Sequence, residues 1–269
     1  MMDYTEFLEE VRKTRRESTW KSYCMALDKF PEGTEEEIID YIDKSEHMGS
    51  TKKANLRILR MALDYNGALT KGIKRIIKSY RPDESLQECP TDKQVEKVWD
   101  HLPSLREKAM FSLMAYMGFR VGEVRNLNLN DITDNGMIII RKSKGHRPDI
   151  MPMVHKRVYE SLRAYLHERR ATDDLALFTG PHGRLALGYI KNLFTGEFKS
   201  NDLPQFHCHS LRRYFANSMY NNGVSLLDMQ DNMRHKSPET TKRYLNLGQQ
   251  NRIDAMRKTW GDNVSKIFA

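Results

Sequence analysis

The sequence predicts a mainly α protein with a small antiparallel β-sheet, an α+β fold built in two parts. Apolar residues recur at three- and four-residue intervals along most of the chain, which is the mark of amphipathic helices. One pair of short β-prone runs, Gly136–Ile140 and Asp149–Met153, flanks a polar stretch and suits a hairpin. Arg81-Pro-Asp-Glu-Ser-Leu-Gln-Glu-Cys-Pro90 then breaks the periodicity with two prolines and mostly polar residues, as an interdomain linker does. The expected division is a helical part over residues 1–80, a linker over 81–90 and a larger part over 91–269.

In the first part, Phe7, Leu8 and Val11 share one helix face. Trp20, Tyr23, Leu27 and Phe30 repeat at helical spacing, with Ser18-Thr19 as the expected N-cap. Ile38, Ile39 and Ile42 form a third stripe after Thr34, and Glu35, Glu36 and Glu37 lie in a first turn where the helix dipole favours acids. Ser50-Thr51 opens a fourth helix through Leu56, Leu59, Met61 and Leu63, and a fifth runs from Thr70 to Tyr80. Beyond the linker, Thr91-Asp-Lys-Gln94 reads as a capping box ahead of Val95, Val98 and Trp99. Further helices are expected at Leu105–Gly118, Lys156–Arg170, Leu187–Phe198, His209–Asn222, Leu226–Met233, Glu239–Leu247 and Asn251–Trp260. No internal repeat or low-complexity tract is present.

With 269 residues the chain is long enough for a sizeable core. Its formal charge is +8, which fits a polyanionic partner, although 30% charged residues also fit a well-solvated surface. Three scattered cysteines (Cys24, Cys89, Cys208) argue against a disulfide framework and for a reducing compartment. No signal-type leader and no apolar run of membrane-spanning length is visible, so a soluble cytoplasmic protein is expected.

Taken singly, the chemical groups have ordinary explanations. Arg120 and Glu123 could form a surface ion pair, except that Arg120 follows the apolar run Phe111-Ser-Leu-Met-Ala-Tyr-Met-Gly118, which points to partial burial with Glu123 fixing its guanidinium plane. His209 and Arg212 lie one helical turn apart and share a face, while Leu211, Phe215 and Met219 form an inward stripe. His209 with Ser210 also fits a plain helix cap. His207-Cys-His209 invites zinc but lacks a second ligand pair, so no metal site is expected. Lys144 lies in the hairpin turn, where lysines are commonly just solvated. His235 suits a helix end and Tyr244 a half-buried helix position.

In order and spacing, these segments resemble the tyrosine recombinase family of phage-type integrases and chromosome-dimer resolvases. Met117-Gly-Phe-Arg-Val-Gly-Glu-Val124 is similar to the family's first arginine box, with Arg120 as the arginine and Glu123 as the supporting acid. Ser143-Lys-Gly145 resembles the catalytic lysine turn, and Lys142 lies on the same turn as Lys144. His209-Ser-Leu-Arg212 resembles the His-x-x-Arg box. His235-Lys-Ser-Pro-Glu-Thr-Thr-Lys-Arg-Tyr244 resembles the closing segment, with its paired threonines and its histidine-to-tyrosine interval. The likeness covers roughly residues 91–247, and the helical first part is similar in character to the family's core-binding domain. Two departures stand out: Arg213 follows the box arginine where the family often has histidine or lysine, and Met233-Arg234 replaces the usual Leu-Gly before His235. The second bears on how the His235 turn packs.

The resemblance implies a site-specific DNA recombinase that cuts and rejoins double-stranded DNA through a 3′-phosphotyrosine on Tyr244. Arg120 and Arg212 would hold the phosphate, His209 and His235 would hydrogen-bond it, His209 would take the tyrosine proton, and Lys144 would protonate the leaving oxygen. No cofactor is implied: neither metal nor ATP is called for, and neither a nucleotide-binding glycine loop nor a carboxylate cluster is seen. The apolar series Ile253, Met256 and Trp260 fits either docking on its own chain or, by the resemblance, packing on a neighbour in a tetramer on DNA. The compact length favours a simple enzyme acting at short sites over one with an added arm-binding domain. Rival readings are a type IB topoisomerase, a DNA-binding regulator on the same fold that has lost catalysis, and a zinc protein built on His207, Cys208 and His209.

Overall fold

The computed structural model describes residues 3–30, 33–44, 49–80, 88–141, 148–169 and 175–235. Lys142, Lys144, Tyr244, residues 81–87 of the expected linker and the two helices expected after His235 lie outside the described residues. The chain divides into two compact units, residues 1–85 and 86–269.

The first unit is a cluster of helices: α1 (Thr5–Thr14), α2 (Glu17–Leu27), α3 (Glu35–Lys44), α4 (Gly49–Tyr65) and α5 (Lys71–Ser79). Their apolar stripes meet in one core containing Phe7, Val11, Ile38, Ile42, Leu56, Leu59, Leu63 and Ile73. Helix α2 starts earlier than the expected Ser18-Thr19 cap. Extended Arg16 ends the preceding turn, its carbonyl accepts the Trp20 N–H at 3.1 Å, and Ser18 falls inside the first turn. Helix α3 is closed by a reciprocal box, with Thr34 N–H donating to Glu37 at 2.7 Å and Glu37 N–H to Thr34 Oγ1 at 3.4 Å. Thr70 caps α5 by accepting from Ile73 N–H at 3.2 Å and donates to Glu35 at 2.6 Å, tying α5 to α3.

The second unit contains α6 (Asp92–His101), α7 (Leu105–Tyr116), α8 (Val121–Asn126), β1 (Met137–Ile140), β2 (Asp149–Pro152) and α9 (Lys156–Glu168). It continues with β3 (Thr179–Gly180), β4 (Gly183–Arg184), α10 (Leu187–Ser200), α11 (Cys208–Asn221) and α12 (Leu226–Asn232). The capping box on α6 forms as its sequence indicates, from Thr91 and Gln94. Helix α7 is buried on every side from Ala109 to Ala115 and packs against α9 and α11, so it is the central post of the unit. Phe111, Phe178, Phe194 and Phe198 surround it in the core. Strands β1 and β2 pair antiparallel with Ile138 opposite Met151 and Ile140 opposite Asp149, turning Ile138, Ile140 and Met151 inward. The β3–β4 hairpin went unforeseen because two residues per strand are too few to leave an alternation in the sequence.

Helix α7 ends in a turn that aims the next segment. Gly118 takes φ +63°, and Phe119 N–H reaches back to Leu113 O at 3.1 Å. A Cβ at Gly118 would also overlap the Phe215 ring. Gly118→Ala is therefore expected to lower stability by about 1–3 kcal/mol from backbone strain alone, with the ring overlap adding to it. Urea unfolding checks this; a wild-type midpoint would contradict it.

Candidate active site

Three segments converge beside that turn. Arg120 is the extended N-cap of α8 and Glu123 is its third helical residue, so a short helix brings the carboxylate back over its own start. Glu123 accepts the Arg120 backbone N–H on Oε2 at 2.8 Å and the Arg120 guanidinium on Oε1 at 2.7 Å. The carboxylate thus closes the helix N-terminus and holds the guanidinium in a set plane. Glu123 is buried, whereas the Arg120 side chain keeps a third of its surface open.

Arg212 projects from α11 into the interior and is the largest fully buried side chain among the described residues. Its guanidinium donates to the carbonyls of Gly118 and Met233 and lies 3.9 Å from Glu123 Oε2. Its Nη2 also meets His235 Nε2 at 3.2 Å. A guanidinium can only donate, so Nε2 accepts and neutral His235 carries its proton on Nδ1. The turn holding His235 is fixed by His235 N–H to Gln230 O at 3.0 Å and Gln230 Nε2 to His235 O at 3.2 Å. Arg120, Glu123, Arg212 and His235 are thereby gathered in one bonded cluster. His209, one turn before Arg212 on α11, stands at the exposed rim.

Two details differ from the sequence reading. The cap of α11 is made by Ser210 Oγ, which accepts the His207 N–H at 3.2 Å. The stripe Leu211, Phe215 and Met219 divides: Leu211 joins the main core, while Phe215 and Met219 pack on a satellite cluster of Ala216, Met229 and Met233. Cys208 is buried, with its Sγ directed at Ile190 O at 3.9 Å, and burial pushes its thiol up to about 11. A thiol held in that state is a poor zinc ligand. Among the described residues no cluster of three or more potential ligands could hold a metal, and no helix is long and apolar enough to cross a membrane.

Arg234 is the group that sequence reasoning left out of the site. Its side chain is buried and its Nη2 donates to Glu123 Oε2 at 2.8 Å. The available signal was a long cation where the resembled pattern has glycine, directly before His235.

Three guanidinium groups against one carboxylate leave two positive charges in the cluster. Burial alone would raise the Glu123 pKa. The charge of Arg234, the Arg120 N–H, the charge of Arg212 and the Arg120 side-chain bond reverse this and hold the carboxyl below its ordinary range. Removal from water, then the charges of Arg212, Arg120 and Arg234, push His235 down to about 3. His209 is pushed down to about 4, by desolvation first and then by Arg212, Arg213, His207 and Arg120. The residue is exposed, which tempers the desolvation, but four cationic or titratable neighbours act in the same direction. Both imidazoles are therefore neutral near pH 7.

Residues 90–251 match the phage integrase family, which is more than half of the chain. The chain belongs to the phage integrase family. Among curated relatives, a tyrosine recombinase of Thermosipho africanus is 22% identical over 95% of this chain and 97% of its own length. The tyrosine recombinase XerA of Pyrococcus horikoshii is 24% identical over 95% of this chain and 92% of its own. A lambda integrase tetramer bound to a Holliday junction superposes with a TM-score of 0.73 at 19% identity, covering 90% of this chain and 76% of that one. The family and these relatives make the chain an enzyme of the tyrosine recombinase class.

The lowered histidines set a pH dependence. Between about pH 6.5, where an unfolded histidine titrates, and the folded value of about 3, the unfolded state binds more protons than the folded one. Stability should therefore fall as pH drops from about 7 to about 5. His235→Gln should show a shallower fall in chemical denaturation over that range; an unchanged slope would place the titration elsewhere.

Proposed function

We propose that this enzyme cuts and rejoins double-stranded DNA at specific sites by forming a 3′-phosphotyrosine on Tyr244, without metal or nucleotide. The observation that carries the reading is the convergence of Arg120 and Arg212 on one buried carboxylate, with His235 bonded to Arg212 and two positive charges in excess. A phosphodiester brings one negative charge to such a site. When the phenol oxygen attacks and its proton leaves, a second develops on the non-bridging oxygens, and it meets donors already in place. Arg120 offers its open guanidinium edge to these oxygens, and Arg212 holds the His235 turn in register. Neutral His209 accepts the phenol proton. Arrival of the anion offsets the cationic pressure on the imidazole and raises its basicity as the proton moves.

Lys144, or Lys142 on the same turn, supplies the proton to the departing 5′ oxygen. The ester on Tyr244 stores the energy of the broken bond, so a second 5′ hydroxyl can attack it and rejoin. The helical unit over residues 1–80 contributes further DNA contacts, and the basic surplus of the chain makes affinity salt-dependent. Strand exchange between two sites calls for a tetramer on DNA, as in the lambda integrase structure, acting on chromosomal or mobile DNA in the cytoplasm.

A suicide substrate nicked near the cut point tests the reaction. Wild-type protein should form a covalent adduct, Tyr244→Phe should form none, and Arg120→Ala should form it about 100- to 1,000-fold more slowly. No adduct on any cognate site would favour a regulator that has lost catalysis. Relaxation of supercoils without exchange between two synthetic sites would favour a topoisomerase. A substrate whose 5′ leaving atom is sulfur departs without a proton because a thiol is far more acidic than an alcohol. That substrate should restore cleavage to Lys144→Ala; rescue of Lys142→Ala instead would move the general acid to Lys142.

A further inference from the structure

From the way one arginine is held, we infer that Arg234 is a positioning residue of this enzyme: it anchors the shared carboxylate and supplies the second excess positive charge of the site. The inference rests on the phosphate-binding reading of the cluster given above. Arg234 follows α12 with φ +52°, a left-handed conformation that helices commonly end in with glycine. A non-glycine residue there is strained unless its surroundings hold it. Its side chain accounts for the holding. The guanidinium lies 5.0 Å over the Phe119 ring and donates to Glu123 Oε2 at 2.8 Å, Asn232 O at 3.1 Å and Gly118 O at 3.4 Å. It also touches Met151 Sδ on β2. Its own carbonyl accepts from Arg120 Nη2 at 3.3 Å. One residue thus links the His235 turn, the Gly118 turn, the start of α8 and the base of the lysine-bearing hairpin.

The consequence lies in how Glu123 is shared. Arg234 and the Arg120 N–H both occupy Oε2 at 2.8 Å, which leaves Arg212 at 3.9 Å from the same oxygen. Arg212 is turned instead to Gly118 O, Met233 O and His235. With glycine at position 234, Glu123 would neutralise a larger share of Arg120 and Arg212, and the cluster would hold one positive charge in excess. With Arg234 it holds two, matching the charge at phosphorus in the transition state better than that of the bound substrate, so the gain appears in the chemical step. Arg234 is too buried to touch DNA, so its effect is exerted through Glu123 and Arg120.

Single-turnover cleavage of the suicide substrate and DNA affinity, measured separately, test this. Arg234→Gly relieves the backbone and removes the charge. It should cleave about 10- to 100-fold more slowly, as expected of a misplaced site, with affinity for DNA almost unchanged. Arg234→Lys, which keeps the charge, should recover part of the rate. In a Glu123→Gln background, removing Arg234 should cost less than it does in the wild type, because both act through one contact. Wild-type cleavage by Arg234→Gly, parallel loss of affinity and rate, or additive effects in the double variant would each overturn the inference. So would an Arg234→Lys protein that folds, as judged by thermal unfolding, yet cleaves no faster than Arg234→Gly. A wild-type protein that forms no adduct, or an Arg120→Ala protein that cleaves normally, would instead sink the proposed reaction itself.

Discussion

A single buried carboxylate holding cations from separate stretches of the chain is the constraint around which the second unit is arranged. Glu123 could not remain ionised in that interior without Arg120, Arg212 and Arg234, and neither Arg212 nor Arg234 could be buried so deeply without it. The balance is deliberately uneven in chemical terms. One anion against three cations gives a site short of negative charge.

The helices matter chiefly for how they deliver these groups. Helix α7, buried on all sides, has no functional group of its own in the cluster, yet its end fixes Gly118, and Gly118 O receives both Arg212 and Arg234. Helix α8 is only six residues long, and its function is to return Glu123 over Arg120. The backbone carbonyls of Gly118 and Met233 contribute as much to orienting Arg212 as any side chain. Preorganisation here is largely a property of turns, and turns are where a single added methyl group does the most damage.

Much of this was legible beforehand for a local reason. Most helix stripes among the described residues, the Thr91–Gln94 box and the pairing of β1 with β2 are short-range patterns, and they formed where their residues indicated. The pairing of Arg120 with Glu123 is likewise local, three residues apart on a helix start. The Ser18-Thr19 cap was misplaced because Arg16 had already begun the helix, and β3–β4 was too brief to register. Arg234 escaped notice because its role depends on Glu123, more than a hundred residues earlier, and on a left-handed backbone that no composition rule assigns to arginine.

Sequence by itself determined the α+β class, the longer helices and the β1–β2 pair among the described residues, and the inventory of charged and nucleophilic groups, because periodicity, capping and turn chemistry act over a few residues. Tertiary structure alone decided which arginine is sealed inside and which stays open, which nitrogen of His235 accepts, and that a third cation shares the carboxylate. Those outcomes depend on burial and on contacts between distant segments, which set desolvation and Coulomb energies that local spacing does not encode.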